Sequence, residues 1–303
     1  MTSPAPLRVR MVMPRSLTQK NSKADPNLLE LKLAHSPDSD DAFMFYALAT
    51  RKIPTGNLQF THVLDDIQTL NEKALEEVYD ITAISFHAYA YLSDRYLLLP
   101  CGASFGERYG PLVVARNAFG RTDLKGRRIA VPGRMTTAFL VLQLYEREIT
   151  PIFAPFDQVM NRVAAGEADA ALVIHEGQLT YAQEGLSKVV DLGEWWHQET
   201  GLPLPLGGNV IRRALGPKVH RQVPELMRAS IQYGLNHREE ALLYAMQFAR
   251  GLDTPTADQF VSMYVNDWTL DYGDRGRRAV QSLLDRGFEK GILPRPVTAE
   301  FVE

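Results

Sequence analysis

Hydrophobic and polar positions alternate along the chain in blocks that predict strands followed by helices. Short segments with the apolar or alternating pattern of strands, most of them followed by helical spacing, occur at residues 29–34, 58–64, 81–85, 129–131, 152–155 and 170–174. The rest of the chain is mostly helical in its spacing, over residues 219–237, 239–251, 256–264 and 275–290. Strands that alternate with helices predict an α/β fold with mainly parallel sheets.

Two series of strands and helices, separated by extended segments at residues 111–116 and 207–212, predict two lobes. The first lobe would be discontinuous, built from residues 29–115 and 213–303. The second would comprise residues 116–212, including the return segment. The chain would pass from one lobe to the other twice. These two connecting segments would form a hinge, and the ligand would be held between the lobes. This is the architecture of type II periplasmic binding proteins, in which closure of the lobes traps the ligand.

Composition and charge narrow the choice of partners. The chain has 303 residues, 45% of them hydrophobic, and a formal net charge of −3, which gives no electrostatic reason to expect nucleic acid or an anionic membrane as a partner. Its one cysteine, Cys101, excludes an intrachain disulfide framework and a multi-cysteine zinc site. No apolar run approaches the roughly 20 residues needed to cross a bilayer. The oligomeric state stays open.

Residues 1–28 are predicted to be a poorly ordered leader. They contain several basic residues and only a brief apolar patch at residues 11–13. A secretory signal needs a central run of about 7–15 apolar residues, and this segment has none. We therefore predict a cytoplasmic protein.

His175 follows the buried strand predicted at residues 170–174. The carboxyl ends of strands in open α/β sheets are where ligands bind. A histidine there can change its charge near neutral pH, as an acid/base catalyst must. A structural alternative is a strand-end histidine that is hydrogen-bonded to a neighbouring loop. The spacing alone favours neither interpretation.

Two other strand ends carry hydroxyl groups. Ser85 ends a predicted strand and precedes a helix, so it either caps that helix or faces a cleft. The turn Gly133-Arg134-Met135-Thr136-Thr137 enters another helix. Backbone N–H groups at such a helix start, with two hydroxyls, suit a carboxylate or phosphate, although ordinary capping uses the same residues.

The segment from Ser36 to Asp41 also turns from a strand into a helix, predicted to begin at about Ala42. Ser36 is a plausible cap, and the acids Asp38, Asp40 and Asp41 would lie in the first turn, where the helix dipole favours negative charge. They could instead accept hydrogen bonds from ligand hydroxyls or hold a divalent ion.

Together these segments resemble a known family. The chain from about residue 31 to 297 is similar to the menaquinone-biosynthesis enzymes that share the periplasmic-binding-protein fold, and among them to the 1,4-dihydroxy-6-naphthoate synthases. The residues that carry the resemblance are Ser36-Pro37 with Asp41 and Phe43; Gly110 to Arg116; Val131 to Arg134 with Thr136-Thr137-Ala138; Ile174-His175-Glu176 with Thr180-Tyr181; Gly201 to Gly207; and Tyr264-Val265-Asn266.

The resemblance implies an intracellular carbon–carbon lyase of the futalosine route, with a small-molecule carboxylate as its substrate. It would convert cyclic dehypoxanthinyl futalosine to 1,4-dihydroxy-6-naphthoate without a metal or organic cofactor. His175 would be the catalytic base. Thr136 and Thr137 would receive the substrate carboxylate, and Ser85 would be the cleft serine. The substrate-binding residues implied by the matching motifs also include Ser36, Gly133 and Asn266.

The chain departs from the family at two places, and two alternatives stay open. Residues 38–42 read Asp-Ser-Asp-Asp-Ala where the family has Cys-Pro-Asn-Asp-Thr, and Ala83 replaces a common lysine. These changes bear on the exact substrate. One alternative is a non-catalytic solute-binding protein, because a fold does not fix a function. The other is the related chorismate dehydratase.

Overall fold

The computed structural model describes residues 28–303 except residues 118 and 250. The predicted leader therefore lies, apart from Leu28, outside the described residues. The strands are β1 (Leu29–His35), β2 (Leu58–Leu64), β3 (Ile81–Ser85), β4 (Tyr96–Leu98), β5 (Ser104–Gly106), β6 (Leu112–Ala115), β7 (Arg128–Val131), β8 (Thr150–Phe153), β9 (Ala170–Val173), β10 (Ser187–Asp191) and β11 (Leu204–Arg212). The helices are α1 (Ser39–Ala49), α2 (Ile67–Leu75), α3 (Phe86–Tyr89), α4 (Thr137–Tyr145), α5 (Val159–Ala164), α6 (Gly177–Thr180), α7 (Leu192–Thr200), α8 (Gly216–Asn236), α9 (Arg238–Ala245), α10 (Thr254–Tyr264), α11 (Asp267–Leu270) and α12 (Gly273–Glu289).

The strands form two sheets. The first has the order β2-β1-β3-β11-β4, with β5 paired to β11, and the second has the order β10-β6-β9-β7-β8. The C-terminal helices return to the first sheet, where apolar residues of α8, α9 and α10 pack with those of β1 and α1. We use "first lobe" for the elements around the first sheet, including α8 to α12, and "second lobe" for those around the second.

The prediction of mainly parallel sheets is wrong, because each sheet contains both parallel and antiparallel strand pairs. β1, β2 and β3 are parallel, as are β7, β8 and β9. However, β11 runs antiparallel to β3, β4 and β5, and β6 runs antiparallel to β9 and β10. A parallel neighbour needs a crossover connection on the same sheet. β6 and β11 arrive directly from the other lobe, with no such crossover.

The chain changes sheets twice, between β5 and β6 and between β10 and β11. β6 lies just before the first predicted lobe boundary but already belongs to the second sheet. Likewise, β11 lies just before the second predicted boundary but already belongs to the first sheet. The strand pairing places the two changes of sheet at residues 107–111 and 192–203. The division of the chain into lobes at 115/116 and 212/213 stays a prediction.

One hydrophobic core cluster spans both lobes. Ile84 and Phe86 of the first lobe pack in the same cluster as Val113 and Leu172 of the second, and the fully buried Trp196 belongs to it. The two lobes are therefore in close contact. Within the described ranges, no helix is both long enough and apolar enough to cross a membrane.

Candidate active site between the lobes

A cavity of about 120 Å³ lies between the lobes, where strands end and helices begin. The turn from β1 to α1 contributes Ser36 and the acids after it, the end of β3 contributes Ser85, and the start of α4 contributes Thr136 and Thr137. Ile174 lines it just after β9, and β11 crosses it with Gly207, Gly208 and Asn209. The sequence therefore brings residues from both lobes to one cavity, with several polar side chains on its wall.

The start of α4 presents two buried hydroxyls with different contacts. Thr136 is the N-cap residue, and its hydroxyl donates to the Gly133 carbonyl at 3.0 Å and accepts from the Phe139 N–H at 3.3 Å. The Thr137 hydroxyl oxygen accepts from the His87 N–H at 3.4 Å. The hydroxyl of Thr136 is thus committed to the helix start, whereas that of Thr137 has no acceptor for its own hydrogen within the described part of the chain.

Ser85 is held by the side-chain amide of Asn71. The Ser85 N–H donates to Asn71 Oδ1 at 2.8 Å, and Asn71 Nδ2 donates to Ser85 Oγ at 3.0 Å. Ser85 precedes α3 but its side chain makes no capping hydrogen bond. Its hydroxyl is therefore fixed on the cavity wall by α2, and capping does not account for it.

The turn from β1 to α1 collects carboxyl groups on the cavity wall. The helix begins at Ser39 with Asp38 as its N-cap residue, so the expectation that Ser36 caps a helix from about Ala42 is wrong. The Ser36 N–H instead donates to Asp41 Oδ2 at 2.7 Å, and the Ser36 hydroxyl donates to the Asp38 carboxylate. The amide of Ser36 is thereby occupied in shaping the turn.

Asp40 and Asp41 are both buried, and their pKa values are raised. Burial raises the pKa of Asp40 well above its ordinary value, and the charges of Asp41, Asp38 and Glu176 raise it further. Burial raises the pKa of Asp41 to about 7, against the opposing effect of the hydrogen bond from the Ser36 N–H. These carboxyls therefore change their protonation far above the pH range of an exposed aspartate.

His175 lies beside the cavity wall. It follows β9 by two residues, and its ring packs edge-on against Phe156 at a centroid distance of 5.3 Å. The neighbours on each side face inward: Ile174 lines the cavity, and buried Glu176 accepts a hydrogen bond from the Ser39 hydroxyl at 3.1 Å. The imidazole is adjacent to the site, outside the set of side chains that line it.

Two further predicted site residues make structural contacts. A Cβ at Gly133 would lie 2.4 Å from Gln68 Oε1, so glycine is required for this close approach. Asn266 caps α11: its side chain accepts from the Trp268 N–H at 3.0 Å and donates to the Met263 carbonyl at 2.8 Å. Of the seven predicted site residues, Ser36, Ser85, Thr136 and Thr137 line the cavity, and His175, Gly133 and Asn266 do not.

Asn209 lines the cavity but is not among the predicted site residues, because the sequence predicts an extended connector over residues 201–212. It is 1% exposed and lies in the middle of β11. The available signal was a polar residue between a glycine pair and the apolar residues Val210 and Ile211. A buried polar side chain in such a run needs a specific partner.

Hydrogen bonds join the two lobes around the cavity. The Tyr264 hydroxyl donates to Gln178 Oε1 at 2.8 Å, and the Met135 N–H donates to Gln68 Oε1 at 3.0 Å. The contact of Ser39 with Glu176 also bridges the lobes. Burial raises the pKa of Tyr264, so its hydroxyl stays protonated and able to donate. The lobes are thus closed over the cavity.

No group of three or more histidine, cysteine, aspartate or glutamate side chains is arranged to hold a metal ion in the part of the chain that the structure describes.

The fold and the cavity define the class of protein. Two α/β lobes with a cavity between them match the periplasmic-binding-protein fold. The alkanesulfonate-binding protein of Xanthomonas axonopodis pv. citri, solved with MOPS bound, superposes with a TM-score of 0.67 at 16% identity over 91% of this chain and 98% of that one. A Candida albicans protein described as having the generic periplasmic binding protein fold gives 0.66 at 15% identity over 91% and 98%. At these identities the likeness concerns the fold alone.

Within that class, the chain belongs to the menaquinone biosynthesis family, whose sequence profile matches residues 31–289. A relative from Thermus thermophilus, named 1,4-dihydroxy-6-naphthoate synthase, is 43% identical over 270 residues, which cover 88% of this chain and 98% of the relative. A Streptomyces coelicolor relative with the same name is 37% identical over 270 residues, covering 87% and 95%. A solved Archaeoglobus fulgidus protein has a TM-score of 0.84 at 47% identity, covering 87% and 98%.

These matches confirm the predicted family, the predicted fold class and the prediction of an enzyme of menaquinone biosynthesis. The solute-binding proteins share only the fold with this chain, so they do not support the non-catalytic alternative.

Proposed function

We propose that this chain is a carbon–carbon lyase that converts cyclic dehypoxanthinyl futalosine to 1,4-dihydroxy-6-naphthoate. The names of the two curated relatives support the reaction. The observation that carries the proposal is the placement of polar groups on the cavity wall: the N-terminus of α4 lies there together with the acidic start of α1. Such a cavity suits a substrate with a carboxylate at one end and hydroxyl groups at the other.

The substrate carboxylate binds at the start of α4. Helix N-termini present unpaired N–H groups and favour anions, and the Thr137 hydroxyl has a hydrogen available for donation. Ser85 adds a second hydroxyl on the same wall. A carboxyl group, protonated or not, keeps an oxygen that accepts hydrogen bonds, so Asp40 and Asp41 suit the hydroxyl groups of the substrate and the start of α4 suits its carboxylate.

His175 is the base. Its neutral imidazole removes a proton from the sugar-derived ring and starts an elimination or retro-aldol cleavage, and the aromatic product supplies the driving force. General-base help of this kind accelerates a reaction by about 10²–10⁴-fold. The ring lies next to Ile174, which lines the cavity, and for His175 to act as the base its side chain has to turn from Phe156 toward the cavity. Asp41, with a pKa of about 7 on the cavity wall, is the competing base.

The reaction needs no metal or organic cofactor, because proton removal and bond cleavage use groups of the chain and the substrate alone. We place the reaction in the cytoplasm, with a small-molecule carboxylate as partner and no role for nucleic acid or membrane.

The test is turnover of cyclic dehypoxanthinyl futalosine by the purified protein, followed through the absorbance and mass of the naphthoate product. We expect His175→Ala to lower kcat by about 10²–10⁴-fold, with substrate affinity close to that of the wild type. His237→Ala, at a histidine stacked on Tyr233 away from the cavity, is the matched control and should keep full activity.

Three outcomes would change the proposal. Full activity of His175→Ala together with loss of activity in Asp41→Asn would transfer the role of base to Asp41. Tight binding of another small acid without any turnover would favour a binding protein. Release of water from chorismate instead would favour the related dehydratase.

A further inference from the structure

Asn209 is held rigidly on the cavity wall by its strand. β11 pairs with β3 on one side, where Asn209 lies opposite Ala83, and with β4 on the other. The Asn209 carbonyl accepts a hydrogen bond from the Leu99 N–H at 2.9 Å. The residue is 1% exposed and lines the cavity beside Gly207 and Gly208. The backbone that carries its side chain is therefore held in place by both neighbouring strands.

The two ends of the Asn209 amide are in different situations. Nδ2 donates to the Gly102 carbonyl at 2.6 Å, and because a carbonyl can only accept, this bond fixes which end is the nitrogen. Oδ1 is buried and has no hydrogen-bond partner among the residues that the structure describes. Buried polar groups almost always have a partner. An unpartnered acceptor on a residue that lines the cavity points to a donor on the molecule that occupies the cavity.

The rest of the wall indicates what kind of donor this is. Asp40 and Asp41 are buried on the same cavity, and a carboxyl group in either protonation state, like the amide of Asn209, has an oxygen that accepts hydrogen bonds. The carboxylate of the proposed substrate is assigned to the start of α4, where N–H and O–H donors are available. The donors left for Asn209 are hydroxyl groups of the substrate.

We propose that Asn209 Oδ1 accepts a hydrogen bond from a hydroxyl of the sugar-derived part of the substrate, and that Asn209 thereby selects for substrates that carry this part. The proposal rests on the proposed function for the identity of the substrate. It predicts that the residue contributes to the binding of the hydroxylated substrate and contributes nothing to the binding of an aromatic carboxylate without hydroxyls.

The test compares Asn209→Leu with the wild type. Leucine has a similar volume but no acceptor. We expect the KM for cyclic dehypoxanthinyl futalosine to rise by about 10- to 100-fold, while the inhibition constant of 2-naphthoate, which has the rings and the carboxylate but no hydroxyl, stays within about twofold of the wild-type value. Unchanged inhibition by 2-naphthoate also shows that the cavity of the variant is folded. If the leucine variant does not fold, Asn209→Ala replaces it in the same comparison.

Thr82→Val is the matched control. Thr82 is a fully buried polar residue of the neighbouring strand β3, its hydroxyl donates to the Ala83 carbonyl at 3.0 Å, and it does not line the cavity. Losing this buried hydroxyl lowers the melting temperature, and both the KM and the inhibition constant should stay at wild-type values.

Two results would overturn the inference. An unchanged KM in Asn209→Leu would mean that water satisfies Oδ1. A parallel rise of the KM and of the inhibition constant of 2-naphthoate would mean that Asn209 only supports the wall. Failure of the wild type to turn over the substrate would count against the proposed function instead, and calorimetric binding of the same compound to wild type and variant then decides the role of Asn209.

Discussion

Thr136 and Thr137 are neighbours with the same side chain, but their hydroxyls make different contacts. Thr136 caps α4, and replacing an N-cap threonine costs about 1 kcal/mol of stability. We therefore expect Thr136→Val to lower the melting temperature by about 3 °C. Thr137→Val also lowers the melting temperature, because the buried His87 N–H loses its acceptor, but it alone should raise the substrate KM, by about tenfold.

Thermal denaturation and steady-state kinetics of the two variants measure this difference. Equal changes in melting temperature and KM for both variants would show that the two hydroxyls share one role, against the contacts of Thr136 with Gly133 and Phe139.

Asp41 gives a prediction for the pH dependence of stability. Its pKa is about 7 in the folded protein, above the ordinary value of 3.8, so folding favours the protonated form. The stability that this carboxyl contributes is complete below its unfolded pKa and is lost as the pH rises through about 7. Asp41→Asn, which mimics the protonated form, should be more stable than the wild type at about pH 8, by on the order of 2–4 kcal/mol, and equally stable near pH 4.

Melting temperatures of wild type and variant across this range provide the measurement. Only the difference between the two proteins is informative, because the buried His35 and His62, whose pKa values are lowered mainly by burial, add a destabilisation at acid pH that both proteins share. A difference that is constant with pH would show that Asp41 is ionised in the folded protein at all these pH values.

Strand ends allowed much of the site to be predicted from the sequence. Ser85 and the Thr136-Thr137 pair line the cavity because each follows a buried strand and precedes a helix, and this is visible in the apolar pattern. The same rule places His175 near the cavity but gives no information on the direction of its ring. Asn209 was missed because it lies inside a strand, and only the register with β3 and β4 brings it to the cavity.

At the scale of elements, the turn before α4 packs closely against α2. A Cβ at Gly133 would lie 2.4 Å from Gln68 Oε1 and 2.9 Å from Gln68 Cβ, and the Met135 N–H donates to the same Oε1. We expect Gly133→Ala to separate α2 from the turn, to lower the melting temperature by about 3–6 °C, and to raise the substrate KM.

A double-mutant cycle with Gln68→Ala checks this contact, because the shorter side chain removes most of the clash. The double variant should be less destabilised than the sum of the two single variants. Additive effects would place the strain of Gly133→Ala somewhere other than at Gln68.

Elements with plain apolar patterns were predicted well. β2 and β3 have the predicted bounds: β2 contains alternating apolar and polar residues and is followed by Asp65 and Asp66, and β3 is a mostly apolar run preceded by Asp80. α7 was not predicted. Asp191 caps it by accepting from the N–H groups of Gly193 and Glu194, but Gly193 in its first turn weakens the helical pattern. That glycine is needed because a Cβ there would lie 1.9 Å from the Tyr109 carbonyl oxygen.

β11 shows how pairing overrides local preference. The segment was predicted as an extended connector because it combines prolines and glycines, which are unfavourable in strands. It is a nine-residue strand between β3 and β4, and its register shifts between Pro205 and Gly207, where the proline has no N–H to donate. The extended conformation could be predicted, but its partners, and with them the strand directions, come from distant parts of the chain.

At the scale of the whole molecule, closure of the lobes depends in part on the hydrogen bond from the Tyr264 hydroxyl to Gln178. Tyr264→Phe removes this bond and leaves the ring in place. Since one hydrogen bond contributes about 1 kcal/mol, we expect the balance between open and closed forms to shift about fivefold toward the open form. Substrate should then dissociate about fivefold faster.

Stopped-flow measurements of substrate release provide the test. Tyr244→Phe, at a tyrosine whose ring packs on Tyr46 within the first lobe, is the matched control and should release substrate at the wild-type rate. Ser39→Ala removes a second hydrogen bond between the lobes, which the Ser39 hydroxyl donates to Glu176. Ser39 does not line the cavity. It should act in the same direction as Tyr264→Phe, and an effect of Tyr264→Phe alone would indicate a direct contact with substrate.

The place of β11 in the first sheet bears on the order in which the molecule forms during synthesis. All strands of the second sheet lie in the continuous stretch 112–191, so they can pair as soon as that stretch has left the ribosome. The first sheet has β11 between β3 and β4, and its order is complete only after the entire second sheet has been made. Pairing of segments so far apart is slow, because a large loop must close first. We therefore expect the nascent second lobe to provide the surface on which the first lobe is completed, and the wall that carries Asn209 to be among the last parts of the protein to form.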